Sequence, residues 1–484
     1  MDAPRKFAGS RRSRRGVKLI PCRAFHPPAA QCMRSAMLDK IKPTSAVNAP
    51  NDLNAFWMPF TANRAFKRAP KMVVGAEGMH YITADGRKII DAASGMWCTN
   101  AGHGRKEIAE AIKAQADELD FSPPFQFGQP KAFELASRIA DLAPEGLDHV
   151  FFCNSGSEAG DTALKIAVAY QQIKGQGSRT RLIGRERGYH GVGFGGTAVG
   201  GIGNNRKMFG PLLNGVDHLP ATYDRDKQAF TIGEPEYGAH FAEALEGLVN
   251  LHGANTIAAV IVEPMAGSTG VLPAPKGYLK KLREITKKHG ILLIFDEVIT
   301  GYGRLGYAFA SERYGVTPDM ITFAKGVTNG AVPMGGVITS AEIHDAFMTG
   351  PEHAVELAHG YTYSAHPLAC AAGIATLDIY RDEKLFERAK ALEPKFAEAV
   401  MSLKSAPNVV DIRTVGLTAG IDLASIADAV GKRGFEAMNA GFHDHELMLR
   451  IAGDTLALTP PLILSEDHIG EIVDKVGKVI RAVA

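Results

Sequence analysis

Ile291-Leu-Leu-Ile-Phe-Asp-Glu-Val-Ile-Thr-Gly-Tyr-Gly-Arg304 decides how the rest of the chain is read. Its apolar run, Ile291 to Phe295, stops abruptly at Asp296 and Glu297. A short continuous apolar run predicts a strand buried on both faces of a parallel sheet. A charge at the end of such a strand lies at the carboxyl edge of the sheet, where open α/β sheets bind their ligands. Asp296 is also compatible with a plain loop cap, because aspartate is common in turns.

A second strand-like run, Met320-Ile-Thr-Phe-Ala324, ends in Lys325-Gly326. Lysine at a strand end in an apolar setting is a candidate nucleophilic amine, since desolvation lowers its pKa and frees the lone pair. An anionic aspartate and an amine lysine together match the needs of pyridoxal phosphate (PLP). The lysine holds the aldehyde, and the carboxylate keeps the ring nitrogen protonated, so that the ring can accept electrons.

Further stretches complete a pattern: Trp57-Met-Pro-Phe-Thr-Ala-Asn-Arg64, Ser94-Gly-Met-Trp97, Asn154-Ser-Gly-Ser-Glu158, Gly188-Tyr-His-Gly191, Val262-Glu-Pro264 and His359-Gly-Tyr-Thr-Tyr-Ser-Ala-His-Pro367. With the Asp296 and Lys325 stretches, they resemble the class III aminotransferases of PLP fold-type I, on the side of the omega-amino acid:pyruvate (beta-alanine:pyruvate) enzymes. The resemblance covers roughly residues 52 to 484. It implies an α/β fold, with a large domain built on a mostly parallel sheet flanked by helices and a smaller α+β domain from both termini. The expected boundaries are 1–36 for a basic extension, 37–100 and 361–484 for the small domain, and 101–360 for the large PLP-binding domain.

Composition fits a soluble globular enzyme, at 45% hydrophobic and 22% charged residues. No apolar run reaches the ~18 residues of a membrane span. The five cysteines, Cys22, Cys32, Cys98, Cys153 and Cys370, show no close pairs. That argues against a disulfide framework or a zinc site and for a reducing cytoplasm; no metal is expected. The first 36 residues hold nine Lys or Arg against Asp2 alone, a net of +8, which leaves −6 for the remainder of a chain totalling +2. An acidic body is a poor nucleic-acid binder. The basic segment reads as a transit-type peptide or, preferably, as a translation start assigned too early, with Met33 or Met37 as the true start. Either way it is expected to be disordered.

Along the chain, Met72–Val74 and His80–Ile82 predict a hairpin, and Asp85-Gly86 a tight turn before Lys88–Ile90. Helical spacing runs over Ile108–Leu119, through Phe133, Ala136, Ile139 and Ala140, over Leu279–His289, and through Ala371, Ile374, Leu377 and Ile379. Val150–Cys153 is a strand that runs into Asn154-Ser-Gly-Ser157 and a helix. A small-residue turn opening a helix makes an anion site, and it also offers Ser155 or Ser157 as an ordinary N-cap. Ile257–Val262 is a strand ending in Glu263, and strands alternating with helices imply parallel βαβ units. Gly191-Val-Gly-Phe-Gly-Gly196 is a literal G-x-G-x-x-G with Asp217 beyond it. No helical pattern follows, so an irregular loop is expected rather than a dinucleotide site. Leu447–Ile451 is strand-like, with Arg450 as a lone cation that reads as an edge residue.

The resemblance assigns roles to these positions. It places the PLP phosphate on Gly156 and Ser157, with Thr362 from a neighbouring subunit, which implies a homodimer or a dimer of dimers with shared sites. Tyr189 stacks on one face of the ring and Val298 packs on the other, while His190 and Glu263 join the cofactor set. Asp296 and Lys325 are catalytic. Trp97, otherwise read as a core tryptophan, walls the substrate pocket. Arg450 clamps a carboxylate. Relatives acting on ornithine or 4-aminobutyrate carry a glutamate that pairs with this arginine; here Ser268 takes its place, which favours pyruvate as acceptor. Ala457 stands where the pyruvate-using relatives are polar, so arylalkyl amines join beta-alanine as expected donors. Other chemistries on the scaffold, 4-aminobutyrate or ornithine transamination and aminomutation, are the alternatives. A PLP-binding regulator would need a DNA-binding domain, and residues 1–36 are too short for one.

Overall fold

The continuous apolar runs of the sequence become strands covered on both faces. The computed structural model describes residues 53–484. The chain divides into a unit Met1–Ala55, nearly all of it outside the described residues, and a unit Phe56–Ala484. The expected basic extension, Cys22 and Cys32 therefore lie outside the described residues.

In chain order the strands are β1 (Val73–Glu77), β2 (His80–Thr83), β3 (Lys88–Asp91), β4 (Leu147–Cys153), β5 (Arg181–Arg185), β6 (Val216–Leu219), β7 (Ile257–Val262), β8 (Met265–Ala266), β9 (Leu272–Pro273), β10 (Leu292–Asp296), β11 (Met320–Ala324), β12 (Gly335–Ser340), β13 (Val409–Val415), β14 (Thr418–Leu423), β15 (Leu447–Met448), β16 (Arg450–Ala452) and β17 (Thr455–Leu458). Seven of them form one sheet in the order β4-β12-β11-β10-β7-β5-β6. β10 runs parallel to β11 and β7, and β5 runs parallel to β7 and β6. β12 is antiparallel to both its neighbours. Only the loop from Lys325 onward joins β11 to β12, and a short loop cannot make the crossover that a parallel pair needs.

Alternating residues of β10 reach two different cores. Leu292 and Ile294 pack with Ala159, Ala163 and Ala167 of the helix Gly156–Ile173. Leu293 and Phe295 pack with Leu279, Leu282 and Ile285 of the helix Tyr278–His289. Both faces of the strand are dry, which is why its sequence is apolar without alternation. Every residue of β7, β10 and β11 is buried.

The remaining strands form smaller sheets. β1, β2 and β3 make the expected antiparallel meander, and β15 joins it parallel to β3, with Leu447 opposite Ile90. Residues from near the two ends of the chain thus share one sheet. β13-β14-β17-β16 form another. The strand-like run Leu447–Ile451 is therefore two strands in two sheets, changing over at buried Leu449.

One local expectation is corrected. The glycine-rich run does contain a helix, Phe194–Val199. It is six residues long and rests on tertiary contacts: Gly196 N–H donates to Asp161 Oδ1 at 2.6 Å, and a Cβ on Gly195 would meet the same carboxylate. Propensity alone did not signal it. Asp217 is spent on an ion pair with Arg181 at 2.6 Å. Among the described residues no helix is long and apolar enough to cross a membrane.

Candidate active site

The carboxyl ends of β4, β5, β7, β10 and β11 carry Asn154, the Glu186–Gly191 turn, Glu263, Asp296 and Lys325. β10 sits between β7 and β11, so Asp296 lies at the centre of this edge. Its carboxylate is 2.8 Å from Nδ1 of His190, and both side chains are buried. The second carboxylate oxygen accepts from Val298 N–H at 3.2 Å. Glu263 is buried beside them, accepting from the N–H of Tyr189 at 2.9 Å and of Gly267 at 3.1 Å. Burial pushes its carboxyl up to about 7; the Asp296 charge adds to the rise, and His190 opposes it.

Lys325 opens the turn after β11 with a positive φ of 50°. A side chain with a Cβ pays for that conformation, and such strain gathers at sites the surrounding fold holds rigid. Burial lowers the Lys325 ammonium pKa. Cys98, Asp296 and Glu263 pull it back up, and Arg450 pushes it further down. Lysine, both acids and the arginine therefore share one electrostatic neighbourhood.

At the start of the helix Gly156–Ile173, Ser155 is the N-cap, accepting from Glu158 N–H at 3.2 Å. That leaves the N–H groups of Gly156 and Ser157 without a partner among the described residues. A Cβ on Gly156 would come within 2.8 Å of Val298 Cγ1, and one on Gly191 within 2.5 Å of Ser157 Cα. Ser157 Oγ accepts from Val192 N–H at 3.2 Å. Two free donors at a helix N-terminus, where glycines allow Val298 and the Gly191 turn to pack closely, suit a phosphate.

Trp97 is buried, and the Arg450 guanidinium lies 5.5 Å from its ring centre. Tyr189 is half-buried; burial and then Asp296 raise its phenol pKa, and Arg450 lowers it. Burial lowers the pKa of Arg450, whose Nε has no partner. Ala457 lies opposite Arg450 across β16 and β17, in one apolar cluster with Trp97, Met265 and Ile299. Two expected residues stand apart. Ser268 lies in the turn between β8 and β9 with no hydrogen bond to Arg450. Thr362 is exposed on a loop whose His359 and Tyr361 contact Thr162, and it bonds to none of the other expected site residues.

Sequence reading missed the residues that hold these groups. Asp91 accepts from Ala93 N–H at 2.8 Å and Gly95 N–H at 2.6 Å, and lies 2.7 Å from His103 Nε2. It thereby pins a bend in which Ser94 and Trp97 both have positive φ. Glu297, next to Asp296, is spent on structure: it accepts from Ser311 N–H at 2.9 Å, Thr300 Oγ1 at 3.0 Å and Ala310 N–H. Adjacent acids at a strand end look alike in sequence, and the sequence holds no signal of which one turns inward.

The donor set fits PLP: an amine at Lys325, a carboxylate at Asp296, free N–H donors at Gly156 and Ser157, and a cation at Arg450. Comparison with known proteins gives the same answer. The Aminotransferase class-III family profile matches residues 61–480. The chain is 58% identical over 433 residues to an omega-aminotransferase of Caulobacter vibrioides, covering 90% of this chain and 98% of that one. It is 50% identical over 445 residues to a beta-alanine–pyruvate aminotransferase of Pseudomonas aeruginosa, covering 90% and 98%. Among solved structures, an (S)-enantioselective omega-transaminase from Thermomicrobium roseum superposes with a TM-score of 0.83 at 35% identity, covering 88% of this chain and 96% of that one.

Proposed function

The chain belongs to the class-III aminotransferases, PLP-dependent enzymes of fold-type I, and from that premise we propose that it moves an amino group from an omega-amino acid such as beta-alanine, or from a primary amine, to pyruvate. The observation that carries this reading is the shared field of Lys325, Asp296 and Glu263 at one sheet edge with Arg450 from the neighbouring sheet.

PLP, when bound, supplies an electron sink that stabilises the carbanion formed at the amine carbon. Gly156 and Ser157 would hold its phosphate with their free N–H groups. Asp296, fixed by His190, holds the proton on the ring nitrogen. Glu263 fixes the backbone of Tyr189, whose ring and the Val298 side chain would hold the cofactor ring between them. Lys325 Nζ, its pKa lowered by burial, would hold the aldehyde of the cofactor and would serve as the base and acid for the proton of the donor carbon. Arg450 clamps the carboxylates of beta-alanine and pyruvate in turn. Ser268 leaves it without a competing acid. The Trp97–Ala457 cluster gives the pocket an apolar wall, which supports arylalkyl amines as further donors.

A homodimer or a dimer of dimers belongs to the same proposal. Its support is the exposure of Trp57, Phe60, Phe125, Phe127, Phe133 and Tyr363, an apolar surface that suits a second copy, and the outward position of Thr362. The small domain of 37–100 with 361–484, around a large domain of 101–360, is supported by the β3–β15 pairing. Cytoplasmic residence is supported by the free thiols of Cys98, Cys153 and Cys370.

The test mixes PLP-loaded enzyme with beta-alanine, an arylalkyl amine, ornithine or 4-aminobutyrate and follows the visible absorbance. Bleaching by beta-alanine and recovery with pyruvate is the expected result. Response to the aryl amine alone would move the donor class to amines and point to Ala457. Response to ornithine or 4-aminobutyrate alone would overturn the use made of Ser268.

A further inference from the structure

Arg304 closes the stretch that opens at Ile291, and the transfer chemistry above makes no use of it. Its side chain is 0% exposed. The guanidinium donates to the Pro460 carbonyl at 2.6 Å, to Asn100 Oδ1 at 2.6 Å and to Ser94 Oγ at 2.9 Å. All three acceptors are neutral, and among the described residues it forms no ion pair. Burial drags the group down to about 10, with Tyr380, Asp91 and Cys98 opposing the drop. A buried cation facing only neutral oxygens is a costly way to fill a core. What a planar fork with fixed donors provides in return is geometry.

The acceptors belong to the two segments proposed above to wall the substrate pocket. Ser94 and Asn100 bracket Trp97. Pro460 follows β17, the strand that carries Ala457. The walls are also laced to each other: Ser94 Oγ donates to the Thr459 carbonyl at 2.6 Å, and Thr459 N–H donates to the Ala92 carbonyl at 2.7 Å. Asn100 returns a bond to the Tyr302 carbonyl at 2.8 Å. Its amide nitrogen would lie 2.9 Å from a Cβ on Gly326, the residue after Lys325. Arg450 touches both walls, through the Trp97 ring and through its pairing with Ala457.

We propose that Arg304 is a positioning residue that sets the width of the substrate pocket, by holding the Trp97 wall against the end of the Ala457 strand. The proposal rests on the aminotransferase reading above. With the fork in place, Arg450 sits at a fixed distance from the tryptophan ring and admits a small carboxylate. Without it the walls can part, small acceptors fit loosely, and larger ones enter.

The test compares Arg304→Lys and Ser94→Ala with wild type, all PLP-loaded. Acceptors are pyruvate and a 2-oxo acid with a longer side chain. Arg304→Lys should raise KM for pyruvate about tenfold while kcat changes by less than about threefold. The preference for pyruvate over the larger acid should fall by a similar factor. Ser94→Ala removes one acceptor and should move both quantities in the same direction by less. Emission offers a check that needs no turnover. In a Trp57→Phe background Trp97 is the only tryptophan, and both variants of the apoenzyme should shift its fluorescence to the red. If the variants lower Tm but leave KM, acceptor preference and emission at wild-type values, Arg304 merely supports the fold and the proposal fails. Should Arg304→Lys not fold, Ser94→Ala decides by the same quantities. A wild type inactive with every donor overturns this inference and the aminotransferase reading together; an active wild type with unmoved variants overturns this one alone.

Discussion

His190 Nδ1 and the Asp296 carboxylate lie 2.8 Å apart, buried together, with Nε2 of the same ring left without a partner. At that distance a proton lies between them, and the ring donates to the acid. Among the described residues, His190→Phe leaves Asp296 with the Val298 N–H as its one remaining donor. We expect kcat/KM to fall by about tenfold to a hundredfold, and the affinity of the apoenzyme for PLP to fall with it. His190→Asn, which restores an amide donor, should recover part of both. Steady-state kinetics and a PLP titration check this.

Lys325→Ala removes the amine proposed to anchor the cofactor and to move the proton. Transamination should drop by several orders of magnitude, on the scale of losing a nucleophile and general base together. Near wild-type turnover in this variant would end the assignment.

Glu263 should make stability depend on pH. Burial, then the Asp296 charge, raises its carboxyl from 4.5 to about 7. Between those values the folded state keeps a proton that the unfolded state has lost. Stability is then greatest below the ordinary carboxyl range and declines as pH rises toward about 7. Glu297, raised by burial to about 7, adds to the decline. The Tm of the apoprotein, measured from about pH 4.5 to 8, should fall, and Glu263→Gln should flatten the slope. An equal slope in wild type and variant contradicts the expectation.

Gly156→Ala puts a methyl group where Val298 Cγ1 leaves 2.8 Å. The branched side chain must shift, and it packs against the N–H donors proposed for the phosphate. PLP affinity should weaken by about tenfold or more, with Tm of the apoprotein changed by a few degrees at most. Equilibrium dialysis of PLP distinguishes the two effects.

Sharing of sites between subunits can be read by complementation. Lys325→Ala and Thr362→Asp chains should each be inactive alone. In mixed dimers one site keeps its lysine and receives an intact Thr362 from its neighbour. Co-expression should restore roughly a quarter of wild-type activity per dimer for random pairing. No recovery would place Thr362 in the service of its own chain.

The sequence made the central strands legible, because burial on both faces leaves an unbroken apolar run, as in Ile257–Val262 and Met320–Ala324. Residues at the strand ends stood out because a charge beside such a run has few other reasons to be there. What stayed hidden depended on contacts between distant segments. Arg304 and Glu297 look like ordinary surface charges until the fold encloses them. The helix Phe194–Val199 is anchored by a bond from Gly196 to Asp161, and Asp161 and His190 leave no room for a side chain on its glycines. The turn of Leu447–Ile451 from one sheet into another leaves no local mark, since both halves remain extended and apolar. The roles expected of Ser268 and Thr362 involve no side-chain contact within one chain, so side-chain type alone could suggest those roles but not a contact.

The pairing of β15 with β3 also bears on the order of events at the ribosome. Ile90 waits for Leu447, and Arg450 follows directly on that pairing. A nascent chain that has already emerged through β12 can assemble the seven-stranded sheet, with the lysine and both acids in place. It cannot pair β15 with the N-terminal meander or seat the guanidinium beside Trp97 until nearly the last helix is made. Contacts so far apart in sequence close late. The part of the molecule that would hold PLP can therefore form before the part that would choose the substrate, and a truncated chain would be left with the first and without the second.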